Sequence, residues 1–222
     1  IWLAAEPTFT HKLLGRALIA AEAAHIHPII VLNKSDLHAP FAQGWERLEP
    51  YCAMGYDVLQ VSLAQAATQP DNAQLLALRE ALEGKTTLVL GPSGTGKSTL
   101  INWLVPGANV ATNTISTALN SGKHTTTSTH WYWIDAERQS AVIDSPGFQE
   151  FGLHHIAPAD LSSYMPDIRQ HVQHCKFYNC SHQHEPGCGV LAAVGQAGAD
   201  GIAPERYAFY EELLNTLSQA KY

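Results

Sequence analysis

The sequence has no long apolar run, few cysteines and few charged residues. Nothing in it approaches the roughly 18 consecutive apolar residues that span a bilayer, so we expect no membrane segment. Residues 1–6 lack an initiator methionine and a basic stretch, which argues against a secretory signal peptide. They have the pattern of a strand, and a chain that begins within a strand is expected to continue upstream in the whole protein. We expect a cytoplasmic, monomeric protein with one substantial core, or with one domain and a smaller one.

Positive charge is also scarce. The 222 residues contain 13 Lys and Arg against 20 Asp and Glu, which gives a net charge of -7 with neutral histidines. Nucleic-acid binding draws much of its affinity from positive charge that neutralises phosphates. The composition therefore argues against strong nucleic-acid binding by electrostatics alone.

Only four cysteines are present, and three of them fall within fourteen residues. Without secretory features, such clustering favours a metal site over disulfides. The pattern Cys-x4-Cys-x-His-x5-Cys supplies three thiolates and one imidazole, which predicts one closed, structural Zn²⁺ site. The predicted ligands are Cys175, Cys180, His182 and Cys188. His174 and His184 are alternative ligands, and free thiols beside surface histidines are the alternative without a metal.

Up to about residue 150 the pattern alternates helices and strands, and beyond it short apolar segments surround the cysteines. Helices are predicted at 12–25, 45–54, 72–82, 98–104 and 204–219. Strands are predicted at 1–6, 28–32, 56–63, 86–90, 129–135 and 140–144. This order predicts an α/β domain over 1–150, with a mostly parallel sheet and helices on both faces. A small, mainly helical zinc-binding domain is predicted over 151–222.

A glycine-rich loop joins the strand at 86–90 to the helix at 98–104 and matches the P-loop pattern Gly-x4-Gly-Lys-Ser. Glycines let backbone N–H groups converge on phosphate oxygens, and the helix N-terminus adds a favourable dipole. Lys97 is expected to reach the β- and γ-phosphates, and the Ser98 hydroxyl to ligate Mg²⁺. A glycine-rich turn that binds nothing is the alternative. The predicted phosphate-binding residues are Gly91, Pro92, Ser93, Gly94, Thr95, Gly96, Lys97, Ser98 and Thr99.

The tetrapeptide Asn33-Lys34-Ser35-Asp36 follows the apolar strand at 28–32 and matches a guanine-reading motif. Ligands of open α/β sheets bind at such carboxyl ends of strands. An ionised Asp36 accepts hydrogen bonds from the guanine N1–H and amino group, whereas adenine would leave the carboxylate unpaired. Asn33 and the stem of Lys34 are expected to support the loop and the base. Ser62 is expected to lie near the guanine carbonyl oxygen; a solvated polar turn at 33–36 is the alternative.

Two further segments are predicted to be nucleotide switches. Asp144-Ser-Pro-Gly147 ends a strand and matches Asp-x-x-Gly, in which the Asp binds Mg²⁺ through water and the Gly senses the γ-phosphate. Thr126, in a threonine run, is expected to close on Mg²⁺, although such a run also suits a strand. Phe148 follows Gly147 where Ras-like proteins carry the glutamine that orients water, so unaided hydrolysis is expected to be slow. His124 is a candidate to orient that water, or else has no catalytic role.

The base-reading motif precedes the phosphate loop, which reverses the usual order of GTP-binding domains. Together with the Gly-x-His-Thr-Thr-Thr element at 122–127, the Asp-Ser-Pro-Gly-Phe element at 144–148 and the cysteine spacing, this order resembles the RsgA/YjeQ family of circularly permuted ribosome-biogenesis GTPases. The resemblance covers essentially the whole chain. It implies a GTPase that acts in late maturation of the small ribosomal subunit and is stimulated by it. It also implies that the protein binds GTP or GDP with Mg²⁺, holds a structural Zn²⁺ and contacts rRNA. His124 would then be a catalytic residue.

The family also has an OB-fold before the GTPase domain, and none precedes Ile1 in this sequence. From Phe148 onward, four Lys and Arg stand against eight Asp and Glu. The hypothesis is therefore that this chain binds GTP and docks weakly on ribosomal subunits. Two other functions stay open. One is a nucleotide-gated scaffold with negligible catalysis, and the other, which Asp36 opposes, is an ATP-dependent P-loop enzyme.

Overall fold

The structure is a computed structural model that describes residues 1–69, 71–112, 129–145, 152–198 and 200–219. Within these ranges the strands are β1 Trp2–Ala4, β2 Ile29–Asn33, β3 Asp57–Gln60, β4 Thr86–Val89, β5 His130–Trp133 and β6 Ala141–Asp144. The α-helices are α1 His11–Ala23, α2 His38–Glu46, α3 Glu49–Ala53, α4 Ala73–Leu82, α5 Lys97–Leu104, α6 Pro166–Val172, α7 Gly189–Ala193 and α8 Pro204–Gln219. Short 3₁₀ helices cover Leu63–Gln65 and Pro158–Tyr164.

Parallel pairing dominates the described strands. The sheet β1-β2-β3 is parallel throughout, and its central strand β2 is apolar and almost wholly buried. In the sheet β4-β6-β5, β4 pairs parallel with β6, whereas β5 pairs antiparallel with β6. A backbone hydrogen bond from Trp2 N to Leu90 O links β1 to the end of β4. The carboxyl ends of β2 and β4 lead directly into the base-reading and phosphate-binding loops.

Two predicted elements differ from the structure by more than two residues at an end. The prediction gives one helix at 45–54, whereas α2 ends at Glu46 and α3 begins at Glu49. Pro50 lies in the first turn of α3, where its missing N–H is tolerated, although it could not continue a helix from upstream. The pattern also misses the beginning of α2, because Pro40 lies in that first turn. Strand β3 ends at Gln60, before the predicted 63, because a 3₁₀ helix begins at Leu63.

The chain divides into two compact units. The first consists of Ile1–Leu13 and Ile29–Glu150, and the second of Leu14–Pro28 and Phe151–Tyr222. Most of helix α1 therefore belongs to the second unit. The functional division into 1–150 and 151–222 stays a prediction. Every helix in the described ranges is too short or too polar to cross a membrane.

Each unit has its own apolar core. In the first unit Val31, Leu100 and Val142 belong to one buried cluster around the two sheets. In the second unit the cluster combines Ile19 of α1 with buried residues of the C-terminal helices. Gly15 allows a close approach there, because a Cβ at this position would lie 2.6 Å from the ring of Phe209. Burial of α1 thus depends on the fold of the second unit.

Candidate nucleotide site and metal centre

The phosphate-binding loop lies between strand β4 and helix α5, the context that a P-loop requires. Gly94 and Gly96 have φ angles of 80° and 97°, in the left-handed region that favours glycine. Gly96 is the N-cap residue of α5, and Ser98 and Thr99 lie in the first turn of that helix. The free N–H groups of this turn and of the loop can therefore surround an anion.

Two glycines of the loop allow close packing with other segments. A Cβ at Gly91 would lie 2.0 Å from the backbone oxygen of Trp2. A Cβ at Gly96 would lie 2.6 Å from Nδ2 of Asn33. Backbone and buried amide atoms cannot retreat as a flexible side chain can, so these positions exclude any larger residue.

Asn33 joins the base-reading loop to the phosphate loop. Its side chain is 3% exposed, and its Nδ2 donates a hydrogen bond to the carbonyl oxygen of Thr95 at 2.9 Å. Its Oδ1 accepts a hydrogen bond from the backbone N–H of Leu63 at 3.2 Å. One buried amide therefore holds together three segments that are far apart in the sequence.

Lys34 forms a second bridge between the same loops. It has a positive φ of 68°, which turns the chain sharply after β2. Its Nζ donates hydrogen bonds to the carbonyl oxygen of Gly94, at 3.0 Å, and to that of Glu6. The ammonium group is thus held at the phosphate loop while its aliphatic stem crosses the space between the loops.

Asp36 is held by the segment that follows β3. The Ser62 hydroxyl donates a hydrogen bond to Oδ1 of Asp36, and the N–H of Ser35 donates to Val61 O at 3.0 Å. Ser62 is 3% exposed, so the donor of this hydrogen bond is buried, whereas Asp36 is half-buried. The Ser62 hydroxyl thereby fixes the orientation of the carboxylate that is predicted to read guanine.

Lys97 and Asp144 form the charged centre of the site. The Nζ of Lys97 donates to the carbonyl oxygens of Gly91 and Pro92 at 2.6 and 2.9 Å. Burial lowers the pKa of Lys97, and the Asp144 carboxylate acts in the opposite direction. Burial raises the pKa of Asp144, against the effects of Lys97 and His130.

Asp144 also carries the one buried side-chain oxygen without a hydrogen-bond partner among the described residues, its Oδ1. Unpaired buried carboxylate oxygens are costly, so a native structure that retains one usually has a use for it. Carboxylate and hydroxyl oxygens are suitable ligands for Mg²⁺. The residues present therefore fit the Mg²⁺ that accompanies nucleotides in GTPases.

Buried polar side chains are concentrated at the predicted sites. Eight polar or charged side chains are buried in the described part of the chain, and five of them belong to predicted site residues. These five are Asn33, Ser62, Thr95, Asp144 and His182. Three predicted switch residues, His124, Thr126 and Gly147, lie outside the described residues.

The predicted metal ligands come together in the second unit. The ligand atoms of Cys175, Cys180, His182 and Cys188 all lie within 4.8 Å of one another. The Sγ atoms of Cys175 and Cys188 are 3.8 Å apart, and each is 3.5 Å from Nδ1 of His182. A tetrahedron with Zn–S bonds of about 2.3 Å has S–S edges of about 3.8 Å. The group can therefore hold a metal ion, and it includes neither His174 nor His184.

Hydrogen bonds fix the backbone around this group. The Glu185 carboxylate accepts hydrogen bonds from the N–H and the hydroxyl of Ser181 at 2.7 and 2.6 Å, and these bonds hold its pKa well below the usual range. The Tyr207 hydroxyl donates to the carbonyl oxygen of His182 at 2.7 Å. His182 itself is 3% exposed. Cys188 is also buried, whereas Cys175 and Cys180 are half-buried, so the cluster is partly shielded from water.

Sequence reasoning missed Trp2. Its indole N–H donates a hydrogen bond to the carbonyl oxygen of Thr95 at 3.0 Å, the same oxygen that Asn33 contacts. No motif includes Trp2, and an apolar strand residue gives no sign of a polar contact 93 positions away. The contact is visible only in the structure, where β1 pairs with β2 and is hydrogen-bonded to the end of β4.

Fold and site together define a P-loop GTPase in which the base-reading strand precedes the phosphate-binding strand, that is, a circularly permuted GTPase. The family model described as RsgA GTPase matches residues 1–154. The chain belongs to the RsgA GTPase family. This confirms the predicted family and fold class.

Curated relatives agree with this assignment. A protein of Variovorax paradoxus (strain S110), named small ribosomal subunit biogenesis GTPase RsgA, is 60% identical over 223 residues; the match covers 100% of this chain and 69% of the relative. A protein of the same name from Burkholderia mallei (strain SAVP1) is 53% identical over 220 residues, covering 99% and 67%.

Two solved structures have the same fold. The circularly permuted GTPase YloQ matches with a TM-score of 0.71 at 29% identity, covering 99% of this chain and 67% of that one. YjeQ from Thermotoga maritima matches with a TM-score of 0.74 at 27% identity, covering 97% and 69%.

Proposed function

We propose that this chain binds GTP with Mg²⁺, hydrolyses it to GDP, and acts in the biogenesis of the small ribosomal subunit. The names of its relatives support the biological role, and family membership supports the reaction. The observation that carries the proposal is the shared carbonyl of Thr95. There the base-reading residue Asn33 contacts the phosphate loop, which makes the two motifs one site.

In this proposal Asp36 reads the base. Its carboxylate would accept hydrogen bonds from the guanine N1–H and amino group while Ser62 holds it in place. Adenine lacks this pair of donors and would leave the carboxylate desolvated and unpaired. The stem of Lys34 would lie along the face of the base, because its ammonium group is anchored at Gly94.

The phosphates would lie in the loop 91–99. Lys97 would exchange its backbone acceptors for the β- and γ-phosphate oxygens, which also removes the cost of burying its charge. The Ser98 hydroxyl and Asp144 would hold Mg²⁺, which neutralises the charge that develops on the phosphates. Thr126, Gly147 and His124 are proposed to sense the γ-phosphate and to orient the attacking water.

We propose further that the group Cys175, Cys180, His182 and Cys188 holds a structural Zn²⁺. Three thiolates and one imidazole are the donor set that Zn²⁺ prefers in closed sites. Contact with rRNA and a cytoplasmic location would follow from the role on the small subunit, and a monomeric state is proposed beside them.

The sharpest test of the base-reading role is Asp36→Asn. We expect the affinity for GDP to fall roughly 100-fold, because the acceptor loses its charge and the amide NH₂ of Asn would face the guanine amino group, which is also a donor. The affinity for xanthosine diphosphate should rise above that for GDP, because xanthine offers an oxygen where guanine has its amino group. Competition against a fluorescent nucleotide measures both affinities.

The exposed Asp71→Asn serves as the matched control, since it makes the same chemical change in the same unit. Guanine selectivity that survives in Asp36→Asn would refute the base-reading role. Equal affinity of the native chain for ATP and GTP would favour an ATP-dependent enzyme. GTP turnover that small subunits fail to stimulate in the whole protein would favour the scaffold alternative.

A further inference from the structure

The carbonyl oxygen of Thr95 receives two hydrogen bonds in a fully buried place. The indole N–H of Trp2 donates at 3.0 Å and the amide of Asn33 donates at 2.9 Å. Thr95 is 0% exposed and Trp2 is 2% exposed, so water cannot replace either donor. The buried carbonyl therefore depends on these two side chains for its orientation.

This orientation decides where the next N–H group points. In a trans peptide the C=O and N–H groups point in opposite directions, so fixing Thr95 C=O fixes the N–H of Gly96. Gly96 has a φ of 97° and no side chain, so its own conformational preferences restrict this peptide weakly. With the carbonyl held against Trp2 and Asn33, the Gly96 N–H points away from them, as a phosphate-binding N–H must.

Trp2 also contacts the beginning of the same loop. Its backbone N–H donates to Leu90 O, and its backbone oxygen lies 2.0 Å from the position that a Cβ of Gly91 would take. One strand residue thus holds the phosphate loop at both ends, through its backbone at 90–91 and through its indole at 95.

We propose that Trp2 is a positioning residue for the nucleotide phosphates, which aims the Gly96 N–H at the diphosphate through its indole hydrogen bond to Thr95. The inference rests on the proposed GTP binding, and it adds a residue outside the nucleotide-binding motifs. Without the Trp2 indole, the Thr95 carbonyl would keep only one hydrogen-bond donor, the Asn33 amide. Trp2 and Asn33 would then act together, one from β1 and the other from β2.

Packing alone is the competing explanation, because Trp2 also belongs to the apolar core of the first unit. The two explanations differ in what the ligand must contain. A positioning role affects ligands that carry phosphates, whereas a packing defect weakens the whole site. Comparing GDP with guanosine therefore separates them.

The first variant is Trp2→Phe, which keeps an aromatic ring and removes the donor. We expect GDP to bind about five-fold more weakly and to dissociate correspondingly faster, the effect of one lost neutral hydrogen bond. The affinity for guanosine should change less than two-fold, or about 0.4 kcal/mol. Stopped-flow release of a fluorescent GDP analogue and competition by guanosine measure these quantities. Trp45→Phe, on α2 in the same unit, is the matched control and should leave both ligands unchanged.

A second variant guards against loss of fold. Site-specific replacement of Trp2 by β-(3-benzothienyl)alanine keeps the shape of the side chain and removes only the N–H, so it should reproduce the five-fold effect on GDP. GDP affinity that equals that of the native chain in this variant would overturn the proposal, and so would an equal loss for GDP and guanosine. A native chain that binds no GDP would instead refute the proposed function itself.

Discussion

The nucleotide site and the metal centre are built in opposite ways. The nucleotide site joins segments far apart in sequence, such as Asn33 and Thr95, mainly through backbone groups and buried amides. The candidate metal centre has its four possible ligands within fourteen consecutive residues, and all four are side chains. The first kind of site is a product of the fold around it, whereas the second kind can determine the fold of its own segment.

The difference predicts which region depends on its ligand. In the phosphate loop, carbonyl groups and Lys97 already have protein partners, so the loop is held by the core beneath it. Around the metal centre, three thiol groups and an imidazole crowd together, and a cation is what offsets the charge of thiolates at such distances. We therefore expect metal removal and loop substitution to damage different units.

The largest expected effect is that of metal removal. Chelation at neutral pH should unfold the second unit, because apparent binding energies of structural Zn²⁺ reach about 10–16 kcal/mol. Amide hydrogen exchange should accelerate by about 100-fold or more in α8 and also in α1 after Leu14, since Ile19 packs in the same core. Exchange in strands β1 to β4 and GDP binding should change little. Mass spectrometry of exchanged peptides, with and without chelator, makes the measurement.

If the amides of α1 stay protected from exchange after chelation, the assignment of α1 to the second unit is contradicted. Cys188→Ser should reproduce the effect of the chelator, because it removes one ligand. Cys52→Ser is its control, since Cys52 is an exposed free thiol outside the cluster.

The next effect in size is that of Gly91→Ala. The added Cβ would lie 2.0 Å from a backbone oxygen of β1, so the strand or the loop must move. We expect a loss of about 3 kcal/mol in the free energy of unfolding of the first unit, and a loss of GDP binding. Thermal unfolding with separate probes for the two units measures the first quantity, and nucleotide titration the second.

Gly107→Ala is the matched control, because nothing lies within 4 Å of its added Cβ. It should change stability by less than about 0.5 kcal/mol. If Gly91→Ala is as stable as Gly107→Ala, then β1 leaves room for a side chain at position 91, which contradicts the prediction.

The same comparison explains what could be predicted from sequence. The grouping of the four candidate metal ligands could be predicted from spacing alone, because one short segment supplies all of them. The position of the segments 91–99 and 33–36 directly after strands could also be predicted, since each is a contiguous motif after an apolar run. The contacts of Trp2 and the bridge from Lys34 to Gly94 could not, because they arise only when β1, β2 and β4 assemble. The split between α2 and α3 was missed because apolar spacing does not register the effect of Pro50.

The smallest effect on stability should come from Asp144→Asn. Burial raises the pKa of Asp144, so the protonated carboxyl favours the fold and the ionised one opposes it. The native chain should lose this part of its stability as the pH rises from the unfolded pKa through the folded one. Replacing the carboxylate removes its desolvation cost and should stabilise the nucleotide-free protein by about 1 kcal/mol at pH 7, with a smaller gain at pH 4.

The same substitution should greatly slow Mg²⁺-dependent GTP hydrolysis, because Oδ1 of Asp144 is the buried oxygen available for the ion. Melting curves at the two pH values test the predicted change in stability, and a phosphate-release assay tests the predicted loss of hydrolysis. Ser140→Ala, directly before β6, makes a control. The buried Ser140 hydroxyl accepts a hydrogen bond from Gly84 N–H, so its loss should destabilise the protein. If Asp144→Asn also destabilises the nucleotide-free protein, the carboxylate has a structural role in the first unit, and the unpaired oxygen is no sign of a metal ligand.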